Sequence, residues 1–141
     1  MKYLLDTNVL SEVIRKDPNQ PLLQKLNDTP ASDVVTAAIC VAELRHGTAR
    51  LAHGARLWER IAREILSRVD VLSLGEAEAV RAGDLLASLE AHGKPIGIED
   101  VWIAATALEH GLTVVTRNLK HFQRVPGLKS ESWWQTAAEH P

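Results

Sequence analysis

The chain opens on a short apolar segment, residues 1–5, which ends abruptly at the polar triplet Asp6-Thr7-Asn8. A second apolar stretch begins at once, at residues 9–14, and we interpret it as a helix. A buried strand that ends in a carboxylate and passes directly into a helix is typical of an α/β active site, because such sites lie beyond the carboxyl ends of parallel strands. Asp6 is therefore the first candidate functional residue. The alternative is that Asp6 or Asn8 serves only as the cap of the following helix.

The rest of the chain alternates between short apolar strands and longer helices. Strands are predicted at 34–35, 69–72 and 112–115. Helices are predicted at 19–26, at 37–51 with Thr36 as cap and Gly54 as stop, at 57–68, from a Ser73–Glu76 capping box to about 92, and at 101–110. This alternation predicts an α/β fold with a parallel sheet covered by helices on both faces. No repeat, linker or low-complexity segment interrupts it, so residues 1–141 are expected to form one domain, with a mobile tail from about residue 135.

Composition limits the classes of function. The net charge of −2 provides no general basic surface for nucleic acid, so any such role has to depend on a local patch or on metal ions. Cys40 is the only cysteine, which excludes a disulfide within the chain and favours a cytoplasmic location. Its apolar neighbours suggest a small core residue. Neither a signal peptide nor an apolar stretch of about 20 residues is present, so we expect no membrane segment.

Acidic and amide side chains stand at positions that a parallel sheet would bring together. Asp6 and Asn118 each follow an apolar strand directly, and Glu99 and Asp100 lie at the start of a helix. Glu43 lies within a helix, where it could instead pair with His46 or Arg50 as an ordinary surface carboxylate. Carboxylates gathered at one edge would repel each other unless a cation neutralised them, and oxygen ligands suit Mg²⁺ or Mn²⁺. Such an ion activates water and stabilises phosphoryl oxygens during in-line displacement.

At this point the sequence resembles a known family. It is similar to the PIN-domain ribonucleases of the VapC/FitB-like toxin group, which are three-layer α/β/α proteins with a mainly parallel central sheet. The matching stretches are Leu4–Ser11, Cys40–Gly47, Pro95–Ala107 and Leu112–Asn118, followed by His121-Phe122. They occur in the family's order, and together they extend the match from Lys2 to about Trp134.

The resemblance implies a Mg²⁺- or Mn²⁺-dependent endoribonuclease that is a homodimer, stays in the cytoplasm and is neutralised by a cognate antitoxin. By position, Asp6, Glu43 and Asp100 match the metal-binding acids, and Asn118 stands where a fourth acid is common. An amide coordinates through its carbonyl oxygen but adds no negative charge, so weaker binding of a second ion is expected. Thr7, Asn8, Glu99 and Thr116 are candidate supporting residues. Candidate RNA contacts are Arg15, Lys16, Lys94, Arg117, Lys120 and Arg124.

Two other functions compete with this one. A phosphatase of the haloacid-dehalogenase type also begins with an aspartate after the first strand, but it requires a second aspartate two residues later, where this chain has Asn8. The second alternative is a non-catalytic PIN-like module that binds RNA or protein, for which Asn118 is the best argument. In the tail, one tryptophan of the pair Trp133-Trp134 is expected to anchor the last segment against the core.

Overall fold

Five strands form one sheet in the computed structural model, which describes residues 1–134. The expected tail from about residue 135 lies outside the described residues. The strands are β1 (Tyr3–Leu5), β2 (Val34–Ala37), β3 (Asp70–Leu72), β4 (Thr113–Val115) and β5 (Ser130–Glu131), in the order β3-β2-β1-β4-β5. Every neighbouring pair is parallel. The predicted α/β/α architecture is confirmed, and the sheet is fully rather than mainly parallel. The sequence did not predict β5, because two polar residues carry no strand pattern.

Helices connect the strands and flank the sheet. The described residues contain α1 (Thr7–Val13), α2 (Gln20–Asp28), α3 (Ala38–Ala49), α4 (Gly54–Ile61), α5 (Glu76–Ala91), α6 (Ile98–His110) and α7 (Leu119–Phe122). A 3₁₀ turn precedes β2, and a wider π turn follows α4 at Ala62–Leu66. The predicted helix at 57–68 is therefore wrong in its details, since regular α-helix ends at Ile61. The sequence pattern also missed α7, which is only four residues long.

Three predicted helix boundaries are corrected by the structure. Thr36 does not cap α3, because it still belongs to β2 and its hydroxyl donates to the carbonyl of Leu5 at 2.8 Å. Ser73 does not open a capping box either. The chain needs three residues to turn after β3, so the N-cap is Gly75, whose N–H donates to Glu78 Oε2 at 3.2 Å. Gly54 opens α4 and does not stop α3.

The core lies between the sheet and its helices, and the three central strands β2, β1 and β4 supply much of it. Leu4 and Val114 are fully buried, and each such side chain contributes about 1.5–3 kcal/mol relative to exposure. Cys40 is also fully buried, as its apolar neighbours suggested. Trp133 is buried against Tyr3 in an edge-to-face contact with centroids 5.2 Å apart, so it anchors the segment after β5 as expected.

Within residues 1–134, no helix combines the length and the apolar character that a membrane span requires.

Candidate active site

The pairing of β1 with β4 places two polar residues, Asp6 and Thr116, side by side. Leu5 pairs with Val115, so Asp6 and Thr116 are the first residues beyond the carboxyl ends of two adjacent strands. The backbone N–H of Asp6 donates to the Val115 carbonyl at 2.9 Å. The Thr116 hydroxyl donates to Asp6 Oδ2 at 2.8 Å. The expectation that residues 6 and 116–118 share one edge of the sheet is therefore confirmed.

The carboxylate of Asp6 is almost completely enclosed by hydrogen-bond donors. Only 3% of the residue is exposed. Oδ1 accepts from the backbone N–H of Thr7 at 2.7 Å, and Oδ2 accepts from the side-chain amide of Asn8 at 3.1 Å in addition to Thr116. Asp6 is also the N-cap of α1. Capping the helix and facing the site are thus compatible in one residue, because the strand ends where the helix begins.

Glu43 reaches the same place from α3. Its Oε1 accepts from the Thr7 hydroxyl at 2.7 Å, so Thr7 contacts Asp6 through its backbone and Glu43 through its side chain. The alternative that Glu43 pairs with His46 or Arg50 is wrong, since no such ion pair exists among residues 1–134. Burial raises the pKa of Glu43, the Thr7 hydroxyl opposes this rise, and the charges of Asp100 and Glu99 add to it.

Asp100 lies in the first turn of α6, as predicted, because that helix begins at Ile98. Its Oδ2 is 2.8 Å from Nδ1 of His121, which belongs to α7. This contact joins α6 to the turn after β4. In the sequence, His121 stands out only as part of a stretch that matches the family, because four residues of helix give no periodic signal.

The raised pKa values of Asp6 and Glu43 indicate that negative charge is costly at this edge of the sheet. Burial raises the pKa of Asp6 from its ordinary value to about 6, the hydrogen bonds from Thr116 and Thr7 oppose the rise, and the charges of Asp100 and Glu43 add to it. A cation bound between the carboxylates would reverse this balance, because it favours their ionised forms.

These residues line one cleft of about 450 Å³. Its lining consists of Asp6, Thr7, Asn8, Ser11, Glu12, Arg15, Glu43, Asp100, Arg117 and Asn118. The predicted acids and amide therefore meet in one hollow, together with two of the candidate RNA contacts. Thr116 lies beneath it, fully buried against Asp6.

The structure does not bring every candidate residue to the cleft. Glu99 is exposed beside it and influences Glu43 through its charge alone. Lys94 lines a separate small hollow with Arg124, whose Nη1 donates to the Pro95 carbonyl at 2.7 Å. Lys120 is exposed on α7 and Lys16 follows α1, and neither lines the cleft. The predicted set of RNA contacts is thus reduced to Arg15 and Arg117 at this site.

Two lining residues, Ser11 and Glu12, were missed by sequence reasoning. The available signal was helical spacing, since Ser11 is four residues after Thr7 and Glu12 is four after Asn8, which places them on the same side of α1. A glutamate within an apolar stretch looked like an ordinary surface position. It is in fact buried, with 4% of the residue exposed.

The donor set fits a hard divalent cation. Potential ligand atoms of Asp6, Cys40 and Glu43 lie within 4.8 Å of one another. Burial raises the pKa of the Cys40 thiol to about 11, and a neutral thiol is a poor ligand for a hard cation, so the two carboxylates are the candidate ligands of this group. Asp100 faces the same cleft but stands outside this tight group. Carboxylate oxygens with an adjacent amide are the ligands that Mg²⁺ and Mn²⁺ prefer.

Comparisons with known proteins agree with the fold and the motifs. Residues 3–128 match the family described as PIN domain. The chain is 36% identical over 133 residues to "Ribonuclease VapC2" of Haemophilus influenzae, covering 94% of this chain and 98% of that protein. It is 40% identical over 124 residues to "Toxin FitB" of Neisseria gonorrhoeae, covering 84% and 89%. The crystal structure of FitAcB from Neisseria gonorrhoeae superimposes with a TM-score of 0.87 at 36% identity, covering 95% of this chain and 99% of that one.

The family match, the nearly full coverage of these relatives and the closely superimposed fold lead to one conclusion: this chain belongs to the PIN-domain family and, within it, to the VapC/FitB group.

Proposed function

We propose that this protein is a metal-dependent endoribonuclease that acts as the toxin of a toxin–antitoxin pair. The observation that carries the proposal is the meeting of Asp6, Glu43 and Asp100 in one cleft, although they come from three separate elements. The similarity to proteins named as a ribonuclease and as a toxin supports the substrate class and the biological role.

The proposed cofactor is Mg²⁺ or Mn²⁺, held by Asp6 and Glu43 with Asp100 completing the acidic wall. When bound, such an ion supplies charge neutralisation for a phosphate and a nucleophilic water at neutral pH. The side chains prepare for this by fixed hydrogen bonds. Thr7 holds both Asp6 and Glu43, while Thr116 and Asn8 fix the second oxygen of Asp6. Because these hydrogen bonds already hold the carboxylates in place, the side chains need little reorganisation when the reaction occurs.

The remaining residues would position the RNA. Arg15 and Arg117 lie at the cleft and could bind phosphates beside the scissile bond. Asn118 faces the cleft in place of a fourth acid, and its backbone N–H donates to the Thr116 hydroxyl at 2.9 Å. Its amide can bind an oxygen or an ion weakly, so the tightly held ion would lie between Asp6 and Glu43.

The proposed partners follow from membership in a toxin group. An antitoxin would inhibit by placing an arginine or a hydrophobic segment in this acidic cleft, since the cleft is a receptor for a cation. Binding that leaves the cleft open would contradict this mode. We also propose a homodimer that acts on cytoplasmic RNA. Sedimentation at micromolar concentration measures the oligomeric state, and a monomer would contradict the dimer.

The decisive experiment is RNA cleavage with Mg²⁺ or Mn²⁺ by the wild type and by Asp6→Asn and Asp100→Asn. We expect each variant to lose activity by about 100-fold or more, because each removes a charge that holds the ion. Asp84→Asn is the matched control, since Asp84 is exposed on α5 away from the cleft. It should cut like the wild type.

Circular dichroism of the same variants checks that the fold persists. A wild type that binds RNA but never cuts it would favour the alternative of a non-catalytic binding module, for which the amide at Asn118 is the structural argument.

A further inference from the structure

One buried carboxylate in the cleft has no part in the function proposed above. Glu12 lies on α1, only 4% exposed, and lines the cleft alongside Asp6. A buried carboxylate is costly unless other groups compensate its charge. The arrangement of those compensating groups indicates what Glu12 does.

Two residues donate hydrogen bonds to the Glu12 carboxylate. Arg15 Nη1 lies 3.0 Å from Oε1 and 3.3 Å from Oε2, and the backbone N–H of Asn19 donates to Oε2 at 2.9 Å. Burial alone would raise the pKa of Glu12, but the Asn19 N–H and the Arg15 guanidinium outweigh burial and lower it. The group is therefore a fixed anion at neutral pH.

The consequence of this fixed anion concerns Arg15. Its side chain is 60% exposed, yet Nη1 is tied to Glu12. An arginine has five N–H donors, and Glu12 occupies only those of Nη1, so the others remain able to face the cleft. A surface arginine normally samples many rotamers, and one held by a buried anion has already lost this freedom before a ligand arrives.

Arg117 is the other arginine of the cleft, and different groups hold it. Its guanidinium lies 5.5 Å from the centroid of the Trp134 ring, and its backbone N–H donates to Asn8 Oδ1 at 3.2 Å. Both arginines of the cleft are thus held in place, Arg15 by the Glu12 carboxylate and Arg117 by the Trp134 ring and by Asn8.

We propose that Glu12 is a positioning residue that holds Arg15 as a phosphate-binding arm beside the acidic residues, with Arg117 as the second arm. This inference rests on the proposed function, since the ligand is the RNA backbone. Three carboxylates repel a polyanion, and a chain of net charge −2 has no overall positive charge to offset that repulsion. Two fixed guanidiniums supply the positive charge locally.

The test measures binding without cleavage. A fluorescent single-stranded 2′-O-methyl oligoribonucleotide is titrated at several salt concentrations with the wild type, Glu12→Gln, Arg15→Gln and the double variant. We expect Glu12→Gln and Arg15→Gln each to weaken binding about tenfold, the size of one charge-assisted hydrogen bond. The slope of log affinity against log salt should fall by about 0.7 for each phosphate that the variant no longer neutralises.

The double variant separates positioning from simple charge loss. If Glu12 acts through Arg15, the double variant binds no more weakly than the worse single variant. Additive losses would overturn the proposal. With cleavable RNA, KM should rise in Glu12→Gln while kcat stays within about twofold, because the acids are untouched. A fall in kcat at constant KM would also overturn it.

Two further variants keep the result interpretable. Glu109→Gln removes the carboxylate of an exposed ion pair with Arg81 at 2.8 Å, and it should bind RNA like the wild type. If Glu12→Gln does not fold, the surface variant Arg15→Lys is tested instead. Lysine keeps the positive charge but cannot bind both oxygens of Glu12 in the same way. Wild-type affinity in Arg15→Lys would then refute the proposal.

The outcomes distinguish this inference from the proposed function. A wild type that cuts RNA with an affinity independent of Glu12 refutes only the role of Glu12. A wild type that binds through Glu12 but does not cut refutes only the nuclease. A wild type that neither binds nor cuts RNA refutes both.

Discussion

At the scale of single residues, the chemistry depends on hydroxyl groups as much as on acids. The Thr116 hydroxyl donates to Asp6 Oδ2 at 2.8 Å and accepts from the backbone N–H of Asn118 at 2.9 Å. Since a hydroxyl has one proton, the bond from Asn118 fixes the direction in which Thr116 donates. The carboxylate is thereby oriented by the turn after β4.

Thr116→Val should shift the pH dependence of cleavage. The hydrogen bond from Thr116 lowers the pKa of Asp6, which burial has raised to about 6, so its loss raises that pKa further. Asp6 then ionises only at a higher pH, so the acidic limb of the plot of rate against pH moves to higher pH. At pH 6 we expect a loss of about tenfold or more, and a smaller one at pH 8.

Thr36→Val is the matched control for that prediction. Thr36 is equally buried on β2, on the other side of β1, and its hydroxyl donates to the Leu5 carbonyl rather than to an acid. It should lower the free energy of unfolding by about 1–2 kcal/mol and leave the pH profile in place. Identical pH profiles of cleavage for Thr116→Val and Thr36→Val would contradict the role of the Thr116 hydroxyl in lowering the pKa of Asp6.

At the scale of elements, the junction between α3 and α4 sets the position of the helix that carries Glu43. Gly54 is buried there, and a Cβ on it would lie 1.7 Å from the carbonyl oxygen of Thr48. The two backbones approach so closely that only hydrogen fits. The glycine that looked like a helix stop is in fact required by packing.

Gly54→Ala should destabilise the protein by about 2–3 kcal/mol, because the backbone of α4 has to move away from α3. Gly83→Ala on α5 is the control, as no atom lies within 4 Å of its added Cβ. That change should stabilise the fold by about 0.5–1 kcal/mol through helix propensity. Urea unfolding measures both, and a wild-type midpoint for Gly54→Ala would disprove the close approach.

At the scale of the whole molecule, the sheet order is what assembles the site. β1 is central, with β2 and β4 on either side, so the chain segments that leave these three strands emerge at one edge. α6 completes the cleft by presenting Asp100 to it. A ligand bound there would join β1, α3 and α6, and would therefore stabilise the entire fold.

We expect Mg²⁺ to raise the melting temperature, with a gain that increases with pH. The pKa of Asp6 is raised from 3.8 to about 6 in the metal-free fold, so the fold loses stability as the pH rises from about 3.8 to about 6, and the loss persists at higher pH. A cation needs the ionised form, so stabilisation should be small below pH 5 and nearly complete above pH 7.

Melting curves with Mg²⁺ or with chelator, at pH 5 and pH 7.5, measure this effect. Asp6→Asn should show little dependence on Mg²⁺ at either pH. A pH-independent gain in the wild type would mean that the ion binds elsewhere.

The sequence by itself determined the alternation of strands and helices, because hydrophobic patterning is local. It also indicated Asp6, Glu43 and Asp100 as candidate acids of the site, through their places in the predicted elements and the resemblance to a known family, although a helix cap was an equally good explanation of Asp6. It could not determine β5 or α7, which are too short to carry a period, nor the exact helix starts, which depend on how many residues a turn requires.

Only the tertiary structure decided which neighbours each acid has. That Thr7 bonds to both Asp6 and Glu43, that His121 contacts Asp100, and that Glu12 is buried rather than solvated are consequences of how the elements pack. The same packing brought Arg15 and Arg117 to the cleft and left Lys94 and Lys120 outside it. Sequence spacing fixes which face of an element a residue occupies, but the partner of that face is set by the neighbouring elements, which are distant along the chain.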